Sequence, residues 1–451
     1  MASTVLTRTP SSNGSQRIMT FSTWLKRGDL GISNAFFSTG SNSSNVFAIY
    51  FTSEFASGKA DSLQMEYYNG STNYYIRTNR KFRDTSAWYH IVGVLDTTDA
   101  TQSNRMRLYV NNLEETSFDA SAYPTQNFDV QYLNSTSYQN NVGNYVGGSY
   151  FGGSLAHTHF IDGTVYSPSD FGETDATTGI WKPKTAPSVT YGTNGFFLKF
   201  ENSGSMGTDS SGNANNFTVN GTMTQTIDTP SNVFATYNPL NSTGNGTEPT
   251  YSIGNLQSVS PSSGGGFVGS STLGVSSGKY YFEIQRSAGT SSNVYIGIGD
   301  EKQTREIARQ SASAVFIGNA VYYKPDDGNK VVVTNGSGVE SSYGDTYGNG
   351  DIIGIALNMD DNEVTFYKNG TAQNSGTAIS IPTPDGACFL NVVNGADTTD
   401  TFQVNFGNGY FGTTAVASAQ NPDDGIGIFE FTPPTGYKAL CTKSINAQEY
   451  N

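Results

Sequence analysis

Along most of this chain, apolar and polar residues alternate in short runs that end in Gly, Asn, Asp or Ser. Alternation puts every second side chain on one face of an extended segment, which is the pattern of a half-buried strand. No long stretch carries the period of about 3.6 residues that an amphipathic helix needs. The pattern predicts strands over residues 20–26, 46–52, 62–68, 73–77, 88–95, 105–110, 145–151 and 154–161. In the run 105–110, Met106, Leu108 and Val110 face one way and Arg105, Arg107 and Tyr109 the other. Shorter candidates lie at 196–200 and 216–219, and a second dense block at 279–286, 294–298, 321–324, 351–359, 363–368 and 401–406. Asn111-Asn112 and Asn369-Gly370 are hairpin turn signals between such runs.

Many short strands with regular turns predict an all-β fold with two tandem antiparallel β-sandwiches of jelly-roll type. The boundaries read as a polar arm over 1–15, a first sandwich over 16–201 and a Gly/Ser/Asn-rich connector over 202–262. A second sandwich over 263–410 and a C-terminal tail over 411–451 follow. The stretch Ser260–Gly266 is the clearest flexible punctuation.

Composition sharpens this picture. The 451 residues suffice for two or three domains. Only 14% are charged, against about 25% in an ordinary globular chain. Such polar, Gly-rich composition would suit disorder, but 13% of the residues are aromatic, including 27 Tyr and 27 Phe, and disordered chains lack rings. The net charge of −14 argues against nucleic acid as a ligand, because phosphate backbones select Lys and Arg patches. Cys388 and Cys441 are expected as free thiols, since a disulfide-stapled secreted protein carries more cysteines. The first residues lack an apolar signal region, and no apolar run reaches about 18 residues, so no membrane insertion is expected.

Three resemblances follow from particular residues. Trp88-Tyr89-His90-Ile91-Val92-Gly93-Val94, then Arg107-Leu108-Tyr109-Val110-Asn111-Asn112, resembles a strand and hairpin of the laminin-G, pentraxin and concanavalin A-like group. Gly147–Leu155 and Val165-Tyr166 look like that group's closing strands. In the second block, Gly278-Lys279-Tyr280-Tyr281-Phe282-Glu283, Tyr295–Gly299, Gly350–Asn358, Val364–Gly370 and Asn405-Phe406-Gly407 resemble, in order, the motifs of a SPRY (B30.2-type) domain. Asn358 stands where that family often has Asp. Finally, Phe160–Gly163, Pro168–Glu173, Gly179–Lys184, Tyr191–Leu198 and Pro433–Cys441 look like segments of tailed-bacteriophage virion proteins. That resemblance implies a virion structural protein on the particle exterior, assembled in the host cytoplasm. It would be a tail fibre or tail-associated adhesin that binds other virion proteins and a host-surface glycan or protein. A homo-oligomer, such as a trimer, is the implied state. A capsid decoration or cement protein, or a head fibre, is the alternative, and a polysaccharide-degrading enzyme a more distant one.

Candidate chemistry is sparse. There are only three histidines. His90 lies in a strand that reads as buried, where it packs rather than serves as the base of a triad. His157 and His159 share one strand face by alternation, which suits a metal such as Zn²⁺ if further ligands join them, or a surface or inter-subunit polar pair. Glu114 and Glu115 are adjacent and so point to opposite faces, which does not make a glycosidase pair. No enzyme is therefore expected. Asp326-Asp327 and Asp360-Asp361 put hard oxygen ligands in loops, as Ca²⁺ prefers, although Asx-stabilised turns use the same residues. Beyond that Ca²⁺, no cofactor is expected. Tyr67, Tyr68, Tyr74 and Tyr75 in one hairpin and Tyr322-Tyr323 in another are candidate binding residues, with apolar faces and polar tips suited to sugar or protein. Tyrosine is also common strand filler.

Overall fold

The computed structural model describes residues 4–53, 59–241, 248–261, 267–306, 316–395 and 398–449. The chain divides into two compact units, Met1–Gln225 with Thr229–Ser231, and Thr226–Asp228 with Asn232–Asn451.

The first unit is a sandwich of two antiparallel sheets. Its front sheet has eight strands in the spatial order Phe118–Ala122, Asn73–Lys81, Ser62–Tyr68, Asn45–Phe51, Asn34–Asn42, Gln139–Val142, Val5–Arg8, Thr218–Asn220. Its back sheet has six, in the order Phe196–Leu198, Gly153–Asp162, Ile18–Arg27, Trp88–Asp96, Met106–Val110, Leu113–Glu114. The alternation seen in the sequence sends Phe47, Ile49 and Met65 inward from the front and Phe21, Ile91 and Leu108 inward from the back, all fully buried in one core. Each such side chain stabilises the fold by roughly 1.5–3 kcal/mol. Gly93 leaves room for the facing sheet, since a Cβ there would lie 2.8 Å from Ile49 Cδ1.

The second unit repeats the architecture. Its larger sheet runs Thr250–Ser252, Gln257–Val259, Thr401–Asn405, Lys279–Ala288, Ile352–Asn358, Glu363–Lys368, Thr371–Ala372, and its smaller one Phe267–Ser270, Cys388–Asn394, Val294–Asp300, Ala320–Tyr323, Asn329–Thr334, Ser337–Ser342. Tyr280, Phe282, Ile284 and Ile355 meet Ile296, Ile298, Leu390 and Val392 between them. The Asn369-Gly370 turn has φ of 48° and 78°, the two positive values that a tight type I′ hairpin requires.

The structure corrects several expectations. Residues 1–15 are not a free arm, because Val5–Arg8 is an interior strand of the front sheet, paired on both sides. The 202–262 stretch is not one connector: Thr218–Asn220 closes the front sheet, while Thr250–Ser252 and Gln257–Val259 belong to the second unit. The segment after residue 410, a tail that could pack or extend, packs: Lys438–Ala439 pairs in parallel with Lys279–Ala288, and Thr442–Glu449 is helical. The run 145–151 is not one strand. Gly147 and Gly148, at φ 93° and 146°, fold it into a hairpin between Asn144–Tyr145 and Gly148–Tyr150. Both cysteines are free and buried.

Candidate ligand-binding face

Each sheet has a core face and an outer face, and what covers the outer face decides whether a ligand can reach it. The back sheet of the first sandwich is covered. Trp181, in the short strand Trp181–Pro183, lies over it and donates its indole N–H to His90 Nδ1 at 3.0 Å. Nδ1 is thus an acceptor, so the proton sits on Nε2, which is 2.9 Å from Ser22 Oγ. The His90 ring stacks on Trp24 at 4.5 Å, and burial pushes its pKa down to about 3. This is a neutral, packed imidazole.

The outer face of the front sheet is different, and it has two halves. In the half nearer Asn73–Lys81, Tyr50 donates to Glu66 Oε2 at 2.6 Å, and Gln64 Nε2 donates to both Tyr50 Oη and Glu66 Oε2. Burial pushes the Tyr50 hydroxyl well above its ordinary range, with Glu66 adding to the effect. Arg77 forms a bidentate pair with Asp119 and holds that carboxyl below its usual range. In this half, then, Arg77 and Asp119 satisfy one another, and Glu66 is held by the neutral Tyr50 and Gln64 side chains.

The other half carries small neutral residues. Strand pairing lines up Ser38, Asn141, Thr7 and Thr218 in one row across four strands. The 144–150 hairpin rises beside this row, with Tyr145 packed edge-on against Tyr50 at 5.3 Å. Between hairpin and row lies an open cleft of about 420 Å³, lined by Thr7, Gln139, Asn141, Asn144, Tyr150 and Asn220. Val5, Gly147 and Gly148 complete its wall. Its volume is within the range of about 300–1,000 Å³ common to small-molecule sites.

The residues singled out in the sequence lie elsewhere. Tyr67 is in the core of the first sandwich and Tyr323 in that of the second. Tyr322 points out of the smaller sheet but is buried beneath Phe316, with rings stacked at 5.7 Å. These three are packing residues, corrected by their burial. Tyr74 packs against the core beside Tyr67. Tyr68 and Tyr75 are half-buried on the outer face, where the Tyr68 hydroxyl donates to Gly70 O and the Tyr75 ring lies under Arg77.

The two histidines do not form an open metal site. A register shift and a positive φ of 46° at His157 break the strand's alternation, and His159 is enclosed, stacked on Phe197 at 3.9 Å with Nδ1 3.0 Å from Tyr191 Oη. Burial lowers the pKa of both, that of His157 to about 4. Asp327 is bonded to Lys324 and to Asn329 N, Asp360 to Gly278 N, and Asp361 to Asn358 Nδ2, while Asp326 is exposed. Among the described residues no three His, Cys, Asp or Glu side chains are placed to hold a metal ion.

The cleft residues escaped the sequence reading because they come from three separate segments. By pattern alone one of these reads as an arm and another as a connector. The available signal was the pairing of outward Gln139 and Asn141 with inward Asn140 and Val142, which is faint when three of the four are amides.

Family models match part of each unit. Residues 3–170 match the concanavalin A-like lectin/glucanases superfamily, and residues 279–409 match the SPRY domain. No curated protein matches the chain. Similar solved structures include the SPRY domain of human HERC1, at 15% identity over 37% of this chain and 96% of that one, TM-score 0.30. A heptameric SAP-like pentraxin from Limulus polyphemus shows 17% identity over 37% and 73%, TM-score 0.26. Domains LG4-5 of the mouse laminin alpha1 chain show 8% identity over 86% and 79%, TM-score 0.27.

Proposed function

We propose that this chain, which carries a concanavalin A-like domain of laminin-G type and a SPRY domain, is a non-enzymatic binding protein of a bacteriophage virion surface. In this reading it is a tail fibre or tail-associated adhesin that meets a host-surface glycan with its first sandwich. The observation that carries the binding part is the open cleft on the front sheet, a concave, amide-lined surface on a rigid scaffold. Both domain types are compatible with carbohydrate binding or adhesion. The virion part rests on the resemblance of residues 160–198 and 433–441 to phage structural proteins. Several residues of those segments serve packing: Trp181 covers the back sheet and Phe197 stacks on His159. A non-catalytic role is supported by the packing of His90 and His159, each at most 1% exposed and so not free to act as a base.

The test locates the protein on particles by cryo-electron microscopy and measures binding of the purified chain to host cells before and after periodate oxidation of their glycans. The reading expects density at the tail and cell binding that periodate abolishes. Density spread over the capsid lattice, with no cell binding, would replace it with a decoration protein.

A further inference from the structure

We infer that the cleft selects a neutral glycan and binds it without a metal ion. The inference deepens the proposed function and rests on it. Its ground is the chemistry of the lining. None of the nine residues around the cleft carries a charge, in a chain with a net charge of −14. Arg8, the nearest cation in sequence, shares the inward face of its strand with Leu6, and its guanidinium bonds Asn215. A carboxylated, sulfated or phosphorylated sugar would therefore find no counter-charge in the cleft and a repulsive field around it. A Ca²⁺-bridged sugar needs carboxylate ligands, and the cleft supplies none.

What the cleft does offer is amides. Asn141, Asn144, Gln139 and Asn220 each bring a carbonyl acceptor and an NH₂ donor. A pair of adjacent sugar hydroxyls presents the same combination, since each hydroxyl both donates and accepts. Among the described residues no hydrogen bond ties down the exposed side chain of Gln139, whereas Asn220 Nδ2 is held by Thr7 Oγ1 at 2.9 Å. Tyr150 adds an apolar ring face for the C–H side of a pyranose. Gly148, with open space where a Cβ would stand, leaves the hairpin backbone approachable. The other half of the same outer face holds Glu66, bonded by Tyr50 and Gln64, and Arg77 paired with Asp119, which leaves them poor recruits for a charged ligand.

The experiment is a glycan microarray probed with the full chain. It presents neutral gluco-, galacto- and manno-oligosaccharides beside sialylated, uronic-acid-containing and sulfated ones, with EDTA or with added Ca²⁺, at low and high salt. The expected hits are neutral, indifferent to EDTA and insensitive to salt, because no ion pair is there to screen. Gln139→Ala and Asn141→Ala should each weaken those hits about tenfold, the loss expected for one or two neutral hydrogen bonds. Gln139 is exposed, so its variant reports on binding even if Asn141→Ala perturbs folding. Hits that are only acidic, or that EDTA abolishes, would overturn the inference and leave the glycan reading standing. Neutral hits untouched by both variants would overturn the cleft assignment. No glycan hits at all would overturn the glycan reading itself.

Discussion

The two sandwiches treat the outer faces of their larger sheets in opposite ways. In the first, half of that face is an open, uncharged cleft. In the second, the chain's own C-terminal segment closes it. Phe429, Ala439 and Cys441 pack there on Tyr281 and Ala356, with Tyr367 and Tyr437 at the margin. Beneath this cover lies Glu283, the last residue of the SPRY-like Gly278–Glu283 motif. Its carboxylate accepts from Glu430 N and Phe431 N at 2.9 Å each, and from Tyr281 Oη and Asn405 Nδ2 at 3.2 Å. Burial pushes Glu283 up to about 7, while the backbone donors oppose the rise. Glu283 thus marks the place where the chain folds back over this sheet face. The cleft, with no such residue, is where the sheet stays accessible.

The largest effect expected from breaking this contrast is at Glu283. Glu283→Ala would leave several buried donors without an acceptor, at a cost of about 4 kcal/mol. Hydrogen exchange should then accelerate at the Glu430 and Phe431 amides, while the first sandwich keeps its protection. Next is Trp181→Ala, which uncovers Trp24 and leaves His90 Nδ1 without its donor. It should destabilise the first sandwich by about 3 kcal/mol in chemical denaturation and leave the second unchanged.

The two covers should also respond to pH in opposite senses. The folded pKa of Glu283 is raised, from an ordinary 4.5 to about 7. Its contribution is therefore fully present below 4.5 and is lost as pH rises toward 7. The folded pKa of His90 is lowered, from 6.5 to about 3, and that of His157 to about 4. Their contribution is present above 6.5 and is lost as pH falls. Domain-resolved hydrogen exchange across this range should show the second sandwich loosening with alkali and the first with acid. Glu283→Gln should flatten the former trend alone. The smallest effect is at the open face. Asn141→Ala removes a long 3.3 Å bond to Gln139 O and should change stability by about 1 kcal/mol or less in thermal unfolding.

Strong alternation with large residues was legible directly. The strands Ser62–Tyr68, Trp88–Asp96, Lys279–Ala288 and Glu363–Lys368 stand where the pattern placed them, and so does the Asn369-Gly370 turn. Strands without apolar contrast were not legible. Gln139–Val142 offers three amides and one Val, and Ser337–Ser342 is wholly exposed, so neither pays the hydrophobic signature that periodicity detects. The same limit hid the cleft, whose residues meet only once Val5–Arg8 and Thr218–Asn220 join one sheet from opposite ends of the first unit. The tyrosines misled for a related reason. Alternation assigns Tyr67 to the face of Leu63 and Met65, and that face is the core. For Tyr322 and Tyr323, neighbours on opposite faces, both sides of the sheet are covered, which no local pattern records.

The proposed function puts ligand binding at the open half of the front sheet. It is tested most directly by hydrogen exchange of the full chain with and without a saturating neutral oligosaccharide, chosen as the strongest hit of the microarray. Slowed exchange is expected only in Val5–Arg8, the 139–150 segment and Thr218–Asn220. Slowing in the second sandwich instead, with the front sheet unchanged, would contradict it.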